Sequence, residues 1–169
     1  MASQNVQDFT QGNETYASGF NDGDLKGPPS RKLAIVTCMD ARMHPEKILG
    51  LKNGEAHMIR NAGGRYDTDA RRSLVISQRM LGTREIVVIH HTSCGMATFV
   101  NQDLCEVVEK DLGKDARTHA DKLDWLPFKD LEQSVKDDVQ AIKIDPLIQD
   151  VPVHGYIYDI KSGKLQHVC

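Results

Sequence analysis

The sequence lacks an excess of basic residues, a long apolar run and an N-terminal secretion signal. Lys and Arg total 21 against 24 Asp and Glu, for a formal charge of -3, so no positive field recruits nucleic acid or an anionic membrane. No apolar run approaches the roughly 20 residues that cross a bilayer, and the first residues have neither the basic nor the apolar region of a signal peptide. These absences predict a cytoplasmic protein with no nucleic-acid or membrane partner.

Cys-x-x-Cys pairs are also absent, which argues against a thiol-redox enzyme. The chain has four cysteines, and without a secretion signal metal binding or thiol catalysis ranks above disulfides. The immediate neighbours of the cysteines decide between these two functions.

The length of 169 residues fits one domain of roughly 100 to 200 residues. Pro28 and Pro29 stop any helix and mark a junction, which divides the chain into an arm over residues 1–30 and a single domain over residues 31–169. Four apolar residues of the arm recur at helical spacing: Val6, Phe9, Tyr16 and Phe20. This spacing favours a short helix that docks on another surface, with a disordered tail as the alternative.

Strand and helix patterns alternate within the domain. Residues 33–37 and 86–89 are short apolar runs typical of strands buried on both faces, and residues 57–60 form a weaker strand pattern. Helices are predicted between Pro45 and Gly50 and over residues 69–81, 103–112 and 129–142, and two last strands over residues 151–158 and 165–168. The fold predicted is α/β, with a mostly parallel central sheet flanked by helices, a C-terminal antiparallel hairpin and an N-terminal helical arm.

Polar and sulfur-containing residues follow the two strongest strands. Cys38, Asp40 and Arg42 come after the first, whereas His91 and Cys94 come at the end of the second. In an open parallel sheet, ligands bind beyond the carboxyl ends of the strands. We therefore expect one site built from two segments that lie far apart in the sequence.

Two thiolates and one imidazole, from Cys38, His91 and Cys94, form a ligand set that suits zinc. Three protein ligands leave a fourth position open, as in catalytic rather than structural zinc sites. We predict one zinc ion per chain. Cys105 and Cys169 are weaker contenders for a fourth ligand of a closed site.

Asp40 and Arg42 are two residues apart, so on an extended segment they project to the same side as Cys38. A guanidinium grips a carboxylate through two parallel hydrogen bonds, which keeps Asp40 ionised and directs one oxygen toward zinc-bound water, whose proton it accepts. If the ion pair with Arg42 broke, Asp40 could occupy the fourth zinc position. The site would then be in an inactive state. Taken alone, Cys38 could be a small buried apolar residue, and Asp40 with Arg42 could be an ordinary ion pair. The combination of the two motifs is specific.

The order of these two motifs, Cys-x-Asp-x-Arg and His-x-x-Cys, resembles the β-carbonic anhydrase family over residues 31–98. The resemblance implies that the metal ligands are Cys38, His91 and Cys94, that the catalytic pair is Asp40 and Arg42, and that a substrate-binding loop contains Asn61, Ala62 and Gly63. A plain turn is the alternative for that loop. The resemblance also implies a homodimer or higher homo-oligomer, in which N-terminal helices reach across the partner.

His90 stands where many family members have glycine. The short chain with the pair His90 and His91 resembles the compact branch of the family, which includes carbonyl sulfide hydrolases. The expected reaction is attack by metal-bound hydroxide on the carbon of a small linear substrate. Carbonyl sulfide hydrolysis to H₂S and CO₂ is placed slightly ahead of reversible CO₂ hydration. A non-catalytic zinc module is less favoured, because it leaves Arg42 without a purpose.

Other residues keep two interpretations. His44 either shuttles protons or stands at a helix start, and His90 lines the pocket or faces the sheet interior. Tyr66 and Phe99 either wall the cavity or pack in the core.

Overall fold

The computed structural model describes residues 3–169. The helices are α1 (Gln4–Ser18), α2 (Pro45–Leu49), α3 (Thr68–Leu81), α4 (Asn101–Leu112), α5 (Lys114–Ala120) and α6 (Leu131–Ile144). The strands are β1 (Leu33–Cys38), β2 (Ala56–Asn61), β3 (Glu85–His91), β4 (Val153–Tyr158) and β5 (Leu165–His167). Short 3-10 turns occupy Ala62–Gly64 and Gly95–Ala97.

The strands form one five-stranded sheet in the order β2-β1-β3-β4-β5. β1 pairs in parallel with β2 and β3, β3 pairs in parallel with β4, and β5 closes the sheet as the antiparallel partner of β4. This confirms the predicted α/β fold. Since β1 and β3 are parallel neighbours, their carboxyl ends lie side by side at one edge of the sheet.

Alternation along the buried strands divides the apolar core into two clusters. One packs beneath α3 and α6 and includes Val36, Leu74 and Val135, all fully buried. The other lies on the opposite face and contains Cys38 and Cys94 together with Ile35, Met43 and Ile89. The sulfur atoms of the expected site therefore extend directly from the core.

Capping residues explain where the helices begin and end. The Asp67 side chain accepts a hydrogen bond from the Ala70 N–H at the start of α3, and Gly82, with φ of 78°, ends it in the left-handed region. The Asp130 side chain likewise accepts from the Gln133 N–H, so α6 begins two residues later than predicted. No helix was predicted over α5.

The N-terminal arm contains a helix, as its spacing predicted, and α1 begins with Ser3 as its N-cap. None of the residues of α1 is buried. The apolar stripe is exposed, with Phe9 70% and Tyr16 60% accessible. Within residues 3–169, no helix has the length and apolar character of a membrane span.

Candidate metal centre

Cys38, His91 and Cys94 converge at the carboxyl edge of the sheet. Cys38 ends β1, His91 ends the neighbouring strand β3, and Cys94 follows in the turn. One ligand atom from each lies within 4.8 Å of the other two, and all three residues are buried. The structure thus brings together the residues that the sequence motifs singled out.

The nitrogen of His91 that faces this cluster fits a metal ligand. Its Nε2 is buried and has no hydrogen-bond partner among the described residues, whereas Nδ1 lies 2.9 Å from the Thr92 carbonyl oxygen. A carbonyl oxygen can only accept a hydrogen bond, so Nδ1 carries the hydrogen of the neutral imidazole and the lone pair is left on Nε2. A buried nitrogen without a partner costs free energy, and a metal ion at this position removes that cost.

The thiols of Cys38 and Cys94 differ in how easily they ionise. The hydrogen bond from the Cys94 thiol lowers the pKa of Cys38, with further hydrogen bonds from the backbone N–H groups of Asp40 and Gly63. The same sulfur contact and burial raise the pKa of Cys94. Cys38 is therefore held as a thiolate, the form that binds metals.

Negative charge near His91 favours a cation at this point. Burial opposes a positive charge on the imidazole, yet the adjacent Cys38 sulfur, the Thr92 carbonyl and the negative charge of Asp40 together raise the pKa of His91. A site that attracts a proton in this way also attracts a metal cation.

Asp40 and Arg42 form the expected two-point ion pair. Arg42 Nε donates to Asp40 Oδ1 at 2.9 Å and Nη2 donates to Oδ2 at 2.7 Å. Nη2 also donates to the Ser93 carbonyl oxygen at 3.1 Å. The hydrogen bonds from the Arg42 side chain hold the pKa of Asp40 far below its usual value. Asp40 Oδ2 lies 3.7 Å from His91 Nε2, beside the ligand cluster but bound to Arg42.

A cavity of about 380 Å³ opens over this cluster. Its walls are mostly apolar, and its lining residues are Cys38, Met39, Asp40, Ala62, Gly63, Cys94, Gly95, Met96, Thr98 and Phe99. Ala62 and Gly63 of the expected substrate loop thus reach the cavity. Asn61 instead donates from Nδ2 to the Arg65 carbonyl oxygen at 2.7 Å and accepts from the Arg65 N–H at 2.8 Å. A substrate-binding role for Asn61 stays a prediction.

The structure shows the surroundings of three residues that the sequence left with two interpretations. His44 is exposed before α2 and makes no capping hydrogen bond through its side chain. Phe99 lines the cavity, whereas the Tyr66 hydroxyl donates to Asp145 Oδ2 at 2.9 Å. Cys105 is buried on α4 and Cys169 packs against the core beneath α6, and neither belongs to the ligand cluster.

Sequence reasoning missed four of the ten residues that line the cavity. Met39, Gly95, Met96 and Thr98 line it, and each stands within four residues of a ligand cysteine. Their nearness to the two motifs was the available signal. Their apolar or small side chains carry no chemistry that marks them in a sequence.

A Cys, His, Cys cluster beside an Asp–Arg pair, at the carboxyl edge of a parallel sheet, defines a class of metal-dependent α/β enzymes. Within that class, the family model described as carbonic anhydrase matches residues 33–165. The chain belongs to the β-carbonic anhydrase family.

Relatives with two named activities are similar to this chain. β-Carbonic anhydrase 1 of Mycobacterium tuberculosis is 42% identical, over 96% of this chain and 97% of the relative. A carbonic anhydrase from Glaciozyma antarctica has a solved structure with a TM-score of 0.94 and 45% identity, covering 99% of this chain and 100% of that one. Carbon disulfide hydrolase of Saccharolobus solfataricus is 36% identical, over 84% of this chain and 80% of the relative. The family is therefore enzymatic.

Proposed function

We propose that the protein is a zinc-dependent carbonic anhydrase that converts CO₂ and water reversibly into bicarbonate and a proton. The observation that carries this proposal is the convergence of three metal-ligand side chains and an ionised Asp–Arg pair on one apolar cavity. Full-length similarity to carbonic anhydrases favours CO₂ over carbonyl sulfide, which the resemblance in sequence had placed slightly ahead.

Cys38, His91 and Cys94 would hold the zinc ion, which supplies a Lewis acid that acidifies water at its open position. The chain prepares this site in two ways. The Thr92 carbonyl fixes the imidazole tautomer that leaves Nε2 free, and backbone N–H groups stabilise the thiolate of Cys38.

Asp40 orients the attacking water by accepting its hydrogen bond. Arg42 occupies both carboxylate oxygens and keeps the group ionised. A carboxylate whose pKa is held so low is a weak base, so a proton that reaches it passes on to solvent rather than staying. The Ser93 carbonyl anchors Arg42 and with it the direction of Asp40.

The cavity wall suits a small uncharged substrate. Ala62, Met96 and Phe99 present apolar surface, against which CO₂ is not penalised by lost hydration, whereas a charged bicarbonate is. The wall therefore favours entry of the substrate and departure of the product.

Carbonyl sulfide is the second candidate substrate. It is also linear and needs the same nucleophile, and water then converts it into CO₂ and H₂S with cleavage of the C–S bond. Two thioethers, Met39 and Met96, line the cavity, and soft, polarisable sulfur groups pack well against a sulfur-containing substrate. The 36% identity to a carbon disulfide hydrolase also supports this candidate.

The deciding experiment measures both reactions on one zinc-loaded sample. Stopped-flow detection of the proton released from CO₂ is run beside H₂S release from carbonyl sulfide. We expect CO₂ hydration to be much the faster reaction. Faster H₂S release would establish a carbonyl sulfide hydrolase instead, and inactivity in both assays at full zinc content would leave a non-catalytic zinc module.

We further propose that two copies of the chain pair through α1. The stripe of α1 is unpartnered in residues 3–169, and the same chain has a half-covered apolar sheet face with a cavity of about 240 Å³. That face includes Leu33, Val87, Tyr156 and Leu165. Each chain carries both the apolar stripe of α1 and this sheet face. In a two-fold symmetric dimer, α1 of each copy can therefore cover the sheet face of the other.

A further inference from the structure

A cluster of buried charged and polar side chains lies behind the cavity. Arg65 Nε donates to Asp138 Oδ2 at 2.7 Å and Nη2 donates to Oδ1 at 3.1 Å, and His90 Nε2 lies 3.2 Å from Asp138 Oδ2. The three residues are 8%, 5% and 0% exposed, respectively. None of them lines the cavity over the ligand cluster, so the proposed reaction does not use them directly.

This Arg65–Asp138–His90 cluster contacts the loop that carries Gly63 and Gly64. His90 Nε2 lies 3.2 Å from the Gly64 carbonyl oxygen as well as from Asp138. Arg65 directly follows Gly64 in the chain, so the cluster anchors the loop at two successive residues, through the Gly64 carbonyl and through the Arg65 side chain.

The glycines allow a close approach to a metal ligand. Gly63 and Gly64 have φ of 81° and 70°, in the left-handed region. A Cβ added to Gly64 would lie 2.8 Å from the Cys38 backbone nitrogen. The loop therefore touches the end of β1 at the ligand, and the direction of its peptide groups depends on what anchors it.

The same loop lies beside the ligand. Gly63 and Cys38 line the same cavity, and the Gly63 backbone is one of the groups that lower the pKa of Cys38. Backbone dipoles close to a thiolate draw electron density from it and change its strength as a metal ligand. A small rotation of the loop would change this interaction without moving Cys38.

We propose that the Arg65–Asp138–His90 cluster is a positioning unit, which holds the Gly63–Gly64 loop against Cys38 and so sets the electron donation of that ligand. The inference rests on the metal site proposed above. A contribution to stability alone does not explain a buried ion pair, since apolar residues of similar volume often serve as well. The contact with Gly64 gives these polar groups a purpose in the site.

The test is the absorption spectrum of the cobalt(II)-loaded protein, in which sulfur-to-metal charge transfer reports the donor strength of the thiolates. In Asp138→Asn the carboxylate charge that holds Arg65 and His90 is lost. We expect a shift of the charge-transfer band, a loss of kcat of about 10-fold or more, and little change in KM.

Asp145→Asn is the matched control. Asp145 is half-buried as a residue, but only 8% of its side chain is exposed against 7% for Asp138, and it is also paired with an arginine, the more exposed Arg71. Its other hydrogen-bond donors are the Tyr66 hydroxyl and the Leu147 N–H. We expect this variant to lose stability while its band and kcat remain those of the wild type.

An Asp138→Asn variant that loses stability as Asp145→Asn does, with an unchanged band and unchanged kcat, would overturn the inference. If Asp138→Asn does not fold, Arg65→Lys takes its place, because lysine keeps the charge and loses the two-pronged geometry. An unchanged band in folded Arg65→Lys likewise overturns it. Wild-type protein that binds no cobalt would refute the metal site itself, an outcome distinct from the others.

Discussion

The buried cysteines differ in the surroundings of their sulfur atoms. Cys38 lies with Cys94 and His91 in the ligand cluster, whereas Cys105 is buried on α4. We expect Cys38→Ser to lose bound zinc and CO₂ hydration together, because a serine hydroxyl is not ionised at neutral pH and is a poor zinc ligand. Cys105→Ser, the control, should keep both. Metal analysis of the purified variants is the check, and full zinc content in Cys38→Ser would contradict the assignment.

We propose that Asp40 acts on the substrate side of the site and not as a ligand, since Arg42 holds both of its oxygens. Asp40→Ala should keep zinc and lower kcat by about 10² or more, the usual contribution of a positioned acid–base group. Asp69→Ala is the control, because Asp69 forms an exposed pair with Arg72. Stopped-flow CO₂ hydration measures the difference. A wild-type rate in Asp40→Ala would remove this carboxylate from the mechanism.

Among the elements, α1 makes the sharpest prediction because its apolar stripe has no partner in residues 3–169. Phe9→Ser with Tyr16→Ser should convert a dimer to a monomer by removing the apolar area that the partner covers. The control, Gln7→Ser with Gln11→Ser, loses more helix propensity than the stripe variant and leaves the stripe intact. Light scattering coupled to size exclusion gives the mass. A wild-type chain that is already monomeric, or a stripe variant that stays dimeric, would refute the pairing.

The elements were predictable where their signal is local. The apolar run at residues 86–89 lies within Glu85–His91, and the helix expected over residues 69–81 is Thr68–Leu81, because each carries its own periodicity. α5 carries none, since alanines are its only apolar residues. It forms by packing against α4. A tertiary contact of that kind leaves no mark in the seven residues themselves.

The candidate site also contains residues that could be predicted from the sequence and residues that could not. The five motif residues could be found because strong strands end beside them and their chemistry is distinctive. Arg65 and Asp138 could not be paired, since they stand 73 positions apart and Asp138 looks like any polar position of a helix. Their contact exists only after α6 packs on the sheet.

At the scale of the whole molecule, two carboxylates, one buried and one half-buried, connect α6 to the rest of the domain through ion pairs. Asp138, on the helix, meets Arg65 from the loop after β2, and Asp145, which caps its end, meets Arg71 of α3. Hydrogen bonds from the Arg71 side chain lower the pKa of Asp145 to about 2. Burial opposes the charge on Asp138, but His90 and Arg65 outweigh it and lower that pKa as well.

These shifts predict how the stability of the domain depends on pH. The folded pKa of Asp145 lies below the unfolded value of about 3.9, so its contribution is complete above about pH 5 and is lost as pH falls toward 2. Asp145→Asn should lower the free energy of unfolding at pH 7 by about 1 to 3 kcal/mol. The difference in the free energy of unfolding between wild type and variant should then shrink below pH 4, because a protonated carboxyl resembles the amide.

The control is Asp137→Asn, which lies exposed on the same helix and should change stability by less than about 0.5 kcal/mol. Denaturant unfolding at a series of pH values measures both variants, and a gap as wide at pH 3 as at pH 7 would show that the Asp145 charge does not support the fold.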